Sequence, residues 1–144
     1  MIEPNMATML SYLVTDAEID HSKLQEMLKR AVDSSFNRIS IDTDTSTSDM
    51  VVLMANGMAG RVNEDEFEKN LTGLCQDLAK DLVRDGEGVT KLIELKISGA
   101  DSPQMAQKIG KSIINSPLIK TAVHGADPNW GRFVMAVGKV FEHP

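Results

Sequence analysis

The chain has 144 residues, of which 42% are hydrophobic and 25% are charged, and its formal net charge is -6. This composition predicts one soluble globular domain over residues 1–144, and the acidic balance argues against binding to nucleic acid or to an anionic membrane, because phosphate attracts clusters of Lys and Arg. The single cysteine, Cys75, cannot form an internal disulfide, and the lack of a signal sequence and of a run of about 18 apolar residues predicts a cytoplasmic protein.

The first part of the chain predicts a strand followed by a helix. Residues Thr8–Thr15 are apolar and rich in β-forming types, and they follow the turn-forming pair Pro4 and Asn5, which indicates a largely buried strand. Asp20 is suited to cap the helix that comes next. The apolar stripe of this helix recurs at spacings of three and four and consists of Leu24, Met27, Leu28, Ala31, Val32, Ser35 and Phe36.

A second strand and helix follow a polar stretch, Ser40–Asp49. The run Met50–Asn56 is continuously apolar and predicts a second buried strand, with Gly57 and Gly60 marking its end. A long helix is predicted over about Asn63–Arg84. Its apolar face consists of Phe67, Leu71, Leu74, Cys75, Leu78 and Leu82.

The next part of the chain predicts a turn, a strand and a short helix. The sequence DGEG, Asp85–Gly88, ends the long helix. Residues Lys91–Ser98 alternate apolar with charged side chains, which predicts a strand with one packed face and one exposed face. A helix capped by Asp101 or Ser102 then runs to Asn115.

The last part of the chain predicts a strand from Leu118, a loop rich in Gly, Asp and Pro, and a final helix that begins near Asn129 or Trp130. Strands that alternate with helices predict an α/β layered fold, in which helices cover a sheet. The order and the direction of the strands stay open at this point.

The polar stretch contains a pattern that is similar to a calcium loop. Asp42, Asp44 and Ser46 alternate as oxygen ligands do, but an EF-hand loop requires a glycine at its sixth position and a glutamate at its twelfth, where this chain has Thr47 and Leu53. The favoured interpretation is therefore a loop whose side chains bond to their own backbone, and no metal site is predicted.

A few other side chains are candidates for chemistry. His21 and His143 are predicted to be solvent-exposed, and Cys75 is predicted to be a small buried hydrophobic residue. His124 precedes the loop GADPNWGR, which could offer backbone donors to an anion or could simply turn the chain. Glu87 lies between two glycines, where it could be presented to a ligand, although a helix C-cap would also explain the first of these glycines.

Six stretches carry a resemblance to a known family, in order along the chain: MIEPNMATML, TDA, FNRISIDTDTSTSD, ANGMAG, DGEGVTKL and GADPNWGR. Together they resemble the ornithine acetyltransferases, also called glutamate N-acetyltransferases or the bifunctional arginine-biosynthesis (ArgJ) family, over about Met1–Gly138. The resemblance implies an N-terminal-nucleophile-like αββα sandwich, of which this chain would be a partial domain at the start of the second (β) subunit.

The resemblance also implies an activity. The family transfers acetyl from N-acetylornithine to glutamate through an acetyl-threonine intermediate, with acetyl-CoA as a second possible donor and no resident cofactor. Its precursor cuts itself between an alanine and a threonine, here Ala7 and Thr8, so that residues 1–7 form a pre-cleavage segment. Thr8 would be the catalytic nucleophile and bind the substrate, and Glu87 matches an acidic residue that contacts the substrate.

The family residues that form the oxyanion hole and a substrate-binding lysine lie outside this chain, in the first (α) subunit. The resemblance therefore implies a hetero-oligomer with that subunit, and the chain alone is expected to be inactive. Two alternatives remain. One is a folded, catalytically silent fragment that associates with itself or with another protein, and the other is an N-terminal-nucleophile hydrolase that uses Thr8 with water as acceptor.

Overall fold

The structure is a computed structural model that describes residues 9–41 and 47–142. It divides into two compact units, Met1–Val83 and Arg84–Pro144, which are described separately below. The single domain inferred from the length of the chain stays a prediction.

Among its described residues, the first unit contains two strands and two helices in alternating order. They are β1 (Leu10–Glu18), α1 (His21–Asp33), β2 (Met50–Arg61) and α2 (Glu64–Arg84), with a single 3-10 turn at Phe36–Arg38 between α1 and β2. The predicted cap of α1 is confirmed, because Asp20 Oδ1 accepts a hydrogen bond from the Ser22 amide at 2.9 Å. The α/β class is also confirmed.

The sheet of the first unit consists of β1 and β2, which run parallel. Leu10 lies opposite Met50, and the pairing continues without a shift to Thr15. The prediction that β2 ends at Gly57 and Gly60 is wrong, because the strand continues through both glycines to Arg61. Their φ angles are 74° and 75°, and the register shifts beside them, so these glycines form a bulge rather than a stop.

One face of this sheet packs against the helices. Met9, Leu13 and Ala17 are buried there, and α2 contributes Leu71, Cys75 and Ala79. All seven residues of the apolar stripe predicted from Leu24 to Phe36 are buried. The prediction is wrong for Leu74, which is 50% exposed and lies at the margin of the apolar stripe of α2.

Two ion pairs join α1 to α2 at the surface of this core. Lys23 Nζ lies 2.8 Å from Glu64 Oε2, and Arg30 donates two hydrogen bonds to Glu68, at 2.5 and 2.9 Å. The hydrogen bond from Arg30 holds the pKa of Glu68 below its usual range. This pair therefore stabilises the fold at neutral pH, and its contribution is lost as the pH falls through the folded-state pKa of Glu68.

The described part of the second unit, which ends at residue 142, contains the helices α3 (Pro103–Ile114), α4 (Pro117–His124) and α5 (Trp130–Glu142). The predictions of α3 and α5 are confirmed. The strand predicted from Leu118 is wrong, because this segment is α4. Pro117 at the first helical position favours a helix, and the buried residues Ile119 and Ala122 are three apart, as one helical face requires.

The strand predicted over Lys91–Ser98 is also wrong, because the structure describes no strand in residues 84–142. The expected alternation of burial is nevertheless present, since Ile93, Leu95 and Ile97 are half-buried and the residues between them are exposed. Leu95 packs on a core that includes Ile113, Ile119 and Ala136. The segment has the side-chain pattern of a strand but lacks a second strand to bond with.

No helix in the part of the chain that the structure describes is long and apolar enough to cross a membrane.

Candidate active site

The candidate cleavage site lies at the start of β1. Ala7 and Thr8 fall outside the described residues, and the description begins at Met9. The Met9 amide donates a hydrogen bond to Asp49 Oδ1 at 2.8 Å, and its carbonyl accepts one from the Met50 amide at 2.9 Å. The Met9 side chain is only 4% exposed. The residue that directly follows Thr8 is therefore held by its backbone and by its side chain.

Replacing Asp49 with alanine should destabilise this start of β1. The change removes the acceptor of a largely buried amide, which costs about 1–3 kcal/mol of the free energy of unfolding. Asp49→Asn is the matched control, because it keeps a carbonyl oxygen that can accept the same bond, and it should lose less than half as much. Urea unfolding of both variants measures the difference. An equal loss in the two variants would contradict a role for this hydrogen bond.

Glu87 lies in a tight turn directly after α2. The Val89 amide donates to the Gly86 carbonyl at 3.1 Å, which closes a turn with Glu87 and Gly88 at its centre. Gly88 has a φ of 69°, a left-handed conformation that glycine adopts without strain. The glycine that this turn requires is therefore Gly88 rather than Gly86. The Glu87 side chain is exposed.

The DGEGVTKL motif is tied to the end of α4. Thr90 Oγ1 lies 3.1 Å from His124 Nδ1, and Lys91 Nζ donates to the Val123 carbonyl at 2.8 Å. A lysine is favourable at this end of a helix, where the last carbonyls carry partial negative charge. The structure thus brings the motif of Glu87 together with His124, the histidine that the sequence singled out.

The loop after α4 contains one strained residue. The Asp127 amide donates to the Ala122 carbonyl at 2.8 Å, and the Ala126 amide donates to the Val123 carbonyl at 3.3 Å. These two bonds form a Schellman motif, in which the residue after the C-cap takes a left-handed conformation. That residue is Ala126, with a φ of 53°, because Gly125 precedes it with a φ of -81°.

Replacing Ala126 with glycine should stabilise the chain by about 1 kcal/mol, because glycine removes the steric cost of the left-handed conformation. Ala100→Gly is the matched control. It makes the same substitution at a residue without positive φ, so it should stabilise nothing. Thermal unfolding of the two variants tests the difference. A lower melting temperature for Ala126→Gly would contradict the strain.

The rest of this loop is held by Arg132, near the start of α5. Its guanidinium donates to the Leu118 carbonyl at 2.6 Å and to Thr121 Oγ1 at 3.0 Å, and it lies 3.9 Å from Asp127. These contacts connect both ends of the GADPNWGR motif to α4. The motif therefore has a structural role in this unit whatever else it contacts.

The other predicted residues have simpler outcomes. His21 is exposed and Cys75 is buried, as predicted, and burial raises the pKa of the Cys75 thiol. Within residues 9–41 and 47–142, no group of three or more His, Cys, Asp or Glu residues could hold a metal ion. Besides Ala7 and Thr8, the candidates outside the described residues are Asp42, Asp44, Ser46 and His143.

Sequence reasoning missed three residues of the candidate site, one directly before β2 and two in the DGEGVTKL motif. Asp49, Thr90 and Lys91 act through bonds to residues 40, 34 and 32 positions away, which no local pattern reports. The only signal available for Thr90 and Lys91 was their place within DGEGVTKL.

Comparison with known proteins finds close relatives. The chain is 62% identical over 142 residues to an arginine biosynthesis bifunctional protein ArgJ 2 of Clostridium acetobutylicum, a match that covers 99% of this chain and 37% of that protein. It is 52% identical over 139 residues to the glutamate N-acetyltransferase Oat2 of Streptomyces clavuligerus, covering 96% of this chain and 35% of that protein.

A solved structure is similar as well. It is the crystal structure of an arginine biosynthesis bifunctional protein ArgJ from Bacillus halodurans, with a TM-score of 0.86 and 48% sequence identity. The match covers 92% of this chain and 65% of that chain.

The chain spans about a third of the length of the curated relatives it matches. The sequence model of the ArgJ family matches residues 1–143, almost the whole chain. The chain belongs to the ArgJ family.

Proposed function

We propose that this chain carries the nucleophile of an acetyltransferase that moves the acetyl group of N-acetylornithine to the amine of glutamate in arginine biosynthesis, in the cytoplasm. The observation that carries the proposal is the family match, which includes the Ala7–Thr8 motif. The names of the relatives support acetyl transfer in arginine biosynthesis, since one is a glutamate N-acetyltransferase and another a bifunctional protein of arginine biosynthesis.

Acetyl transfer through threonine requires a base that accepts the proton of the threonine hydroxyl. A hydroxyl is a weak nucleophile at neutral pH, but the free α-amine of an N-terminal threonine has a reference pKa of about 7.7–8.0 and can accept the hydroxyl proton. Thr8 Oγ1 then attacks the acetyl carbonyl of N-acetylornithine. The ester bond forms, the amide bond breaks, and ornithine leaves with the proton. The amine of glutamate attacks the ester in turn, which yields N-acetylglutamate and restores Thr8.

This base exists only after cleavage, because the nitrogen of Thr8 is an amide while Ala7 precedes it. We propose that the Thr8 hydroxyl also attacks the Ala7 carbonyl. An ester forms between Ala7 and Thr8 Oγ1, the Ala7–Thr8 amide bond breaks to free the amine of Thr8, and water then hydrolyses the ester and releases residues 1–7. The fixed position of Met9 supports this step, since Met9 is the residue that directly follows Thr8 in the chain.

The remaining roles complete the proposal. Glu87 is exposed on its turn and would pair with the amine of ornithine or glutamate. Acetyl-CoA would serve as a second acetyl donor. The oxyanion hole belongs to the α subunit, so this chain would be active only in a hetero-oligomer with that subunit. A hydrolase would use the same Thr8 with water as acceptor, and analysis of the products separates the two reactions.

The direct test of cleavage is the intact mass of the purified chain. Loss of the seven-residue segment MIEPNMA shows that the chain matures alone, and an uncut mass contradicts maturation by this chain alone. The activity is tested by mixing the chain with the first subunit of the Clostridium relative and measuring glutamate-dependent release of ornithine. A mixture that is cleaved but transfers no acetyl would overturn the proposed function.

A further inference from the structure

Asn56, the asparagine of the ANGMAG motif, has no role in the fold or in the function described above. With Gly57 it forms the single Asn–Gly pair of the chain. Such a pair typically makes the tight turn between two antiparallel strands, because both residue types tolerate a positive φ. Here the pair lies inside β2, whose partner β1 runs parallel, so it turns no hairpin. What the pair does must therefore be inferred from its own geometry and chemistry.

The side chain of Asn56 is folded back onto the backbone of the residues that follow it. The side chain is exposed, and its Oδ1 accepts a hydrogen bond from the Met58 amide at 3.0 Å. This bond closes a ring that contains both Asn56 Cγ and the amide nitrogen of Gly57. The side-chain carbonyl carbon is thus held close to the nitrogen of the next residue.

The same hydrogen bond activates the side-chain carbonyl of Asn56. A donor on Oδ1 draws electron density away from Cγ, and it stabilises the negative charge that forms on this oxygen when a nucleophile attacks Cγ. The donors of an oxyanion hole assist acyl transfer in the same way. The Met58 amide is already in place, so the attack requires no rearrangement of the donor.

The backbone of Gly57 is open to reaction. The continuous register of the sheet is interrupted between Ala55 and Gly60, and Gly57 lies within this bulge with a φ of 74°. A Cβ at Gly57 would meet no atom closer than 3.7 Å, and the nearest atoms belong to Glu18. The nitrogen next to Asn56 Cγ is therefore not crowded by a side chain of its own residue or of the opposite strand.

We propose that Asn56 is a site of spontaneous deamidation in the folded protein. The Gly57 nitrogen attacks Asn56 Cγ, and a new C–N bond closes a succinimide ring. The side-chain nitrogen of Asn56 leaves as ammonia and takes the proton of the Gly57 amide with it. Water then opens the ring at either of its carbonyls and leaves aspartate or isoaspartate at this position. The net change replaces the side-chain NH2 with OH, and water is the only co-reactant.

The isoaspartate product changes the backbone of β2. Its chain continues through the former side chain, which inserts an extra backbone atom into the strand. The product also adds a negative charge next to Gly57, whose nearest neighbours include Glu18. Because the Met50 amide of β2 bonds to the Met9 carbonyl, the modification acts on the sheet that holds the start of β1. The reaction requires neither a second subunit nor acetyl transfer, so it does not depend on the proposed function.

The test follows the purified 144-residue chain during incubation in warm, neutral buffer. Trypsin, which cuts after Lys and Arg, produces the peptides 39–61 and 62–69, which contain one asparagine each, Asn56 and Asn63. Mass spectrometry measures the replacement of the amide in each peptide, and chromatography separates the aspartate product from the isoaspartate product. We expect Asn56 to react at least about tenfold faster than Asn63.

Asn63 is the matched control within the same chain. It is also exposed, and its Oδ1 also accepts a backbone hydrogen bond, from the Glu66 amide at 3.0 Å. That bond reaches three residues ahead, as in a helix N-cap, and the residue after Asn63 is Glu64, whose side chain crowds its own nitrogen. A difference between the two asparagines of less than about tenfold would overturn the proposal.

Unfolding separates the effect of the geometry from the effect of the Asn–Gly sequence. In urea the sequence is unchanged but the hydrogen bond from Met58 is lost, so Asn56 should react at least as fast in the folded chain as in the unfolded chain. A lower rate in the folded chain would show that β2 protects the residue, and the proposal would then fail.

Asn56→Gln identifies the reacting residue. The variant keeps a carboxamide, but its longer side chain must close a larger ring, so peptide 39–61 should gain no mass over the same time. Circular dichroism shows whether the variant folds, which is expected because the replaced side chain is exposed. An unchanged mass gain in this peptide would place the reaction at another residue and would also overturn the proposal.

Discussion

Replacing Thr8 with alanine is expected to abolish both cleavage of the Ala7–Thr8 bond and acetyl transfer in the mixture with the first subunit. Alanine has no oxygen to attack either carbonyl, so the rate of transfer should fall at least about 1000-fold. Thr8→Ser keeps the hydroxyl and, after cleavage, the α-amine. It should retain measurable activity, because the nucleophile and its base are both present.

The matched control is Thr72→Ala, which makes the same substitution on α2 of the same unit. It should be cleaved and active to within about twofold of the unmodified chain, since it removes no reacting group. Intact mass measures cleavage, and release of ornithine measures transfer. Transfer of acetyl by Thr8→Ala at more than about a tenth of the normal rate would show that another residue is the nucleophile.

Replacing Phe36 with alanine is expected to destabilise the first unit more than any surface change. Phe36 lies in the 3-10 turn between α1 and β2 and is 0% exposed, so its loss leaves a cavity in the core. Truncation of a buried phenylalanine costs about 3–5 kcal/mol. The urea concentration at half-unfolding, measured by circular dichroism, should therefore fall markedly.

Leu74→Ala provides the comparison for this variant. Leu74 belongs to the apolar stripe predicted for α2 but is 50% exposed, so its truncation should cost less than about 1 kcal/mol. Comparing the two variants shows whether the loss of stability depends on burial rather than on apolar character alone. Equal losses in the two variants would contradict the position of the core.

The sequence alone predicts correctly those elements whose hydrogen bonds join residues close together in the chain. Asp20 caps α1, and the stripe that begins at Leu24 is buried as predicted, because a helix makes its hydrogen bonds within itself and presents one face at a fixed spacing. The turn predicted at DGEG is also confirmed, because the hydrogen bond that closes it joins Val89 to Gly86, only three residues away. The run after Pro117 shows the limit of this approach, since a short apolar run fits a helix and a strand equally well.

Strands depend on partners that a local pattern does not contain. The alternation over Lys91–Ser98 correctly predicted which side chains are half-buried, but no second strand bonds to the segment in the described part of its unit. The prediction that β2 ends at Gly57 and Gly60 is wrong because a glycine with a positive φ can form a bulge within a strand as well as a turn after it.

The candidate site also consists of residues that the sequence motifs identify and of residues that only the structure reveals. The motifs in the sequence named Ala7, Thr8 and Glu87, and they identified the family. They did not show that Asp49 holds the amide after Thr8, or that Thr90 and Lys91 tie the turn of Glu87 to α4.

The sequence by itself therefore determined the α/β class, the two helices of the first unit, the family and the residue types available for chemistry, because these depend on neighbours along the chain. Only the tertiary structure decided the parallel pairing of β1 with β2, the anchoring of Met9 and the strain at Ala126. Each of these depends on hydrogen bonds or contacts between residues that the chain brings together only when it folds, and a sequence pattern carries no record of such partners.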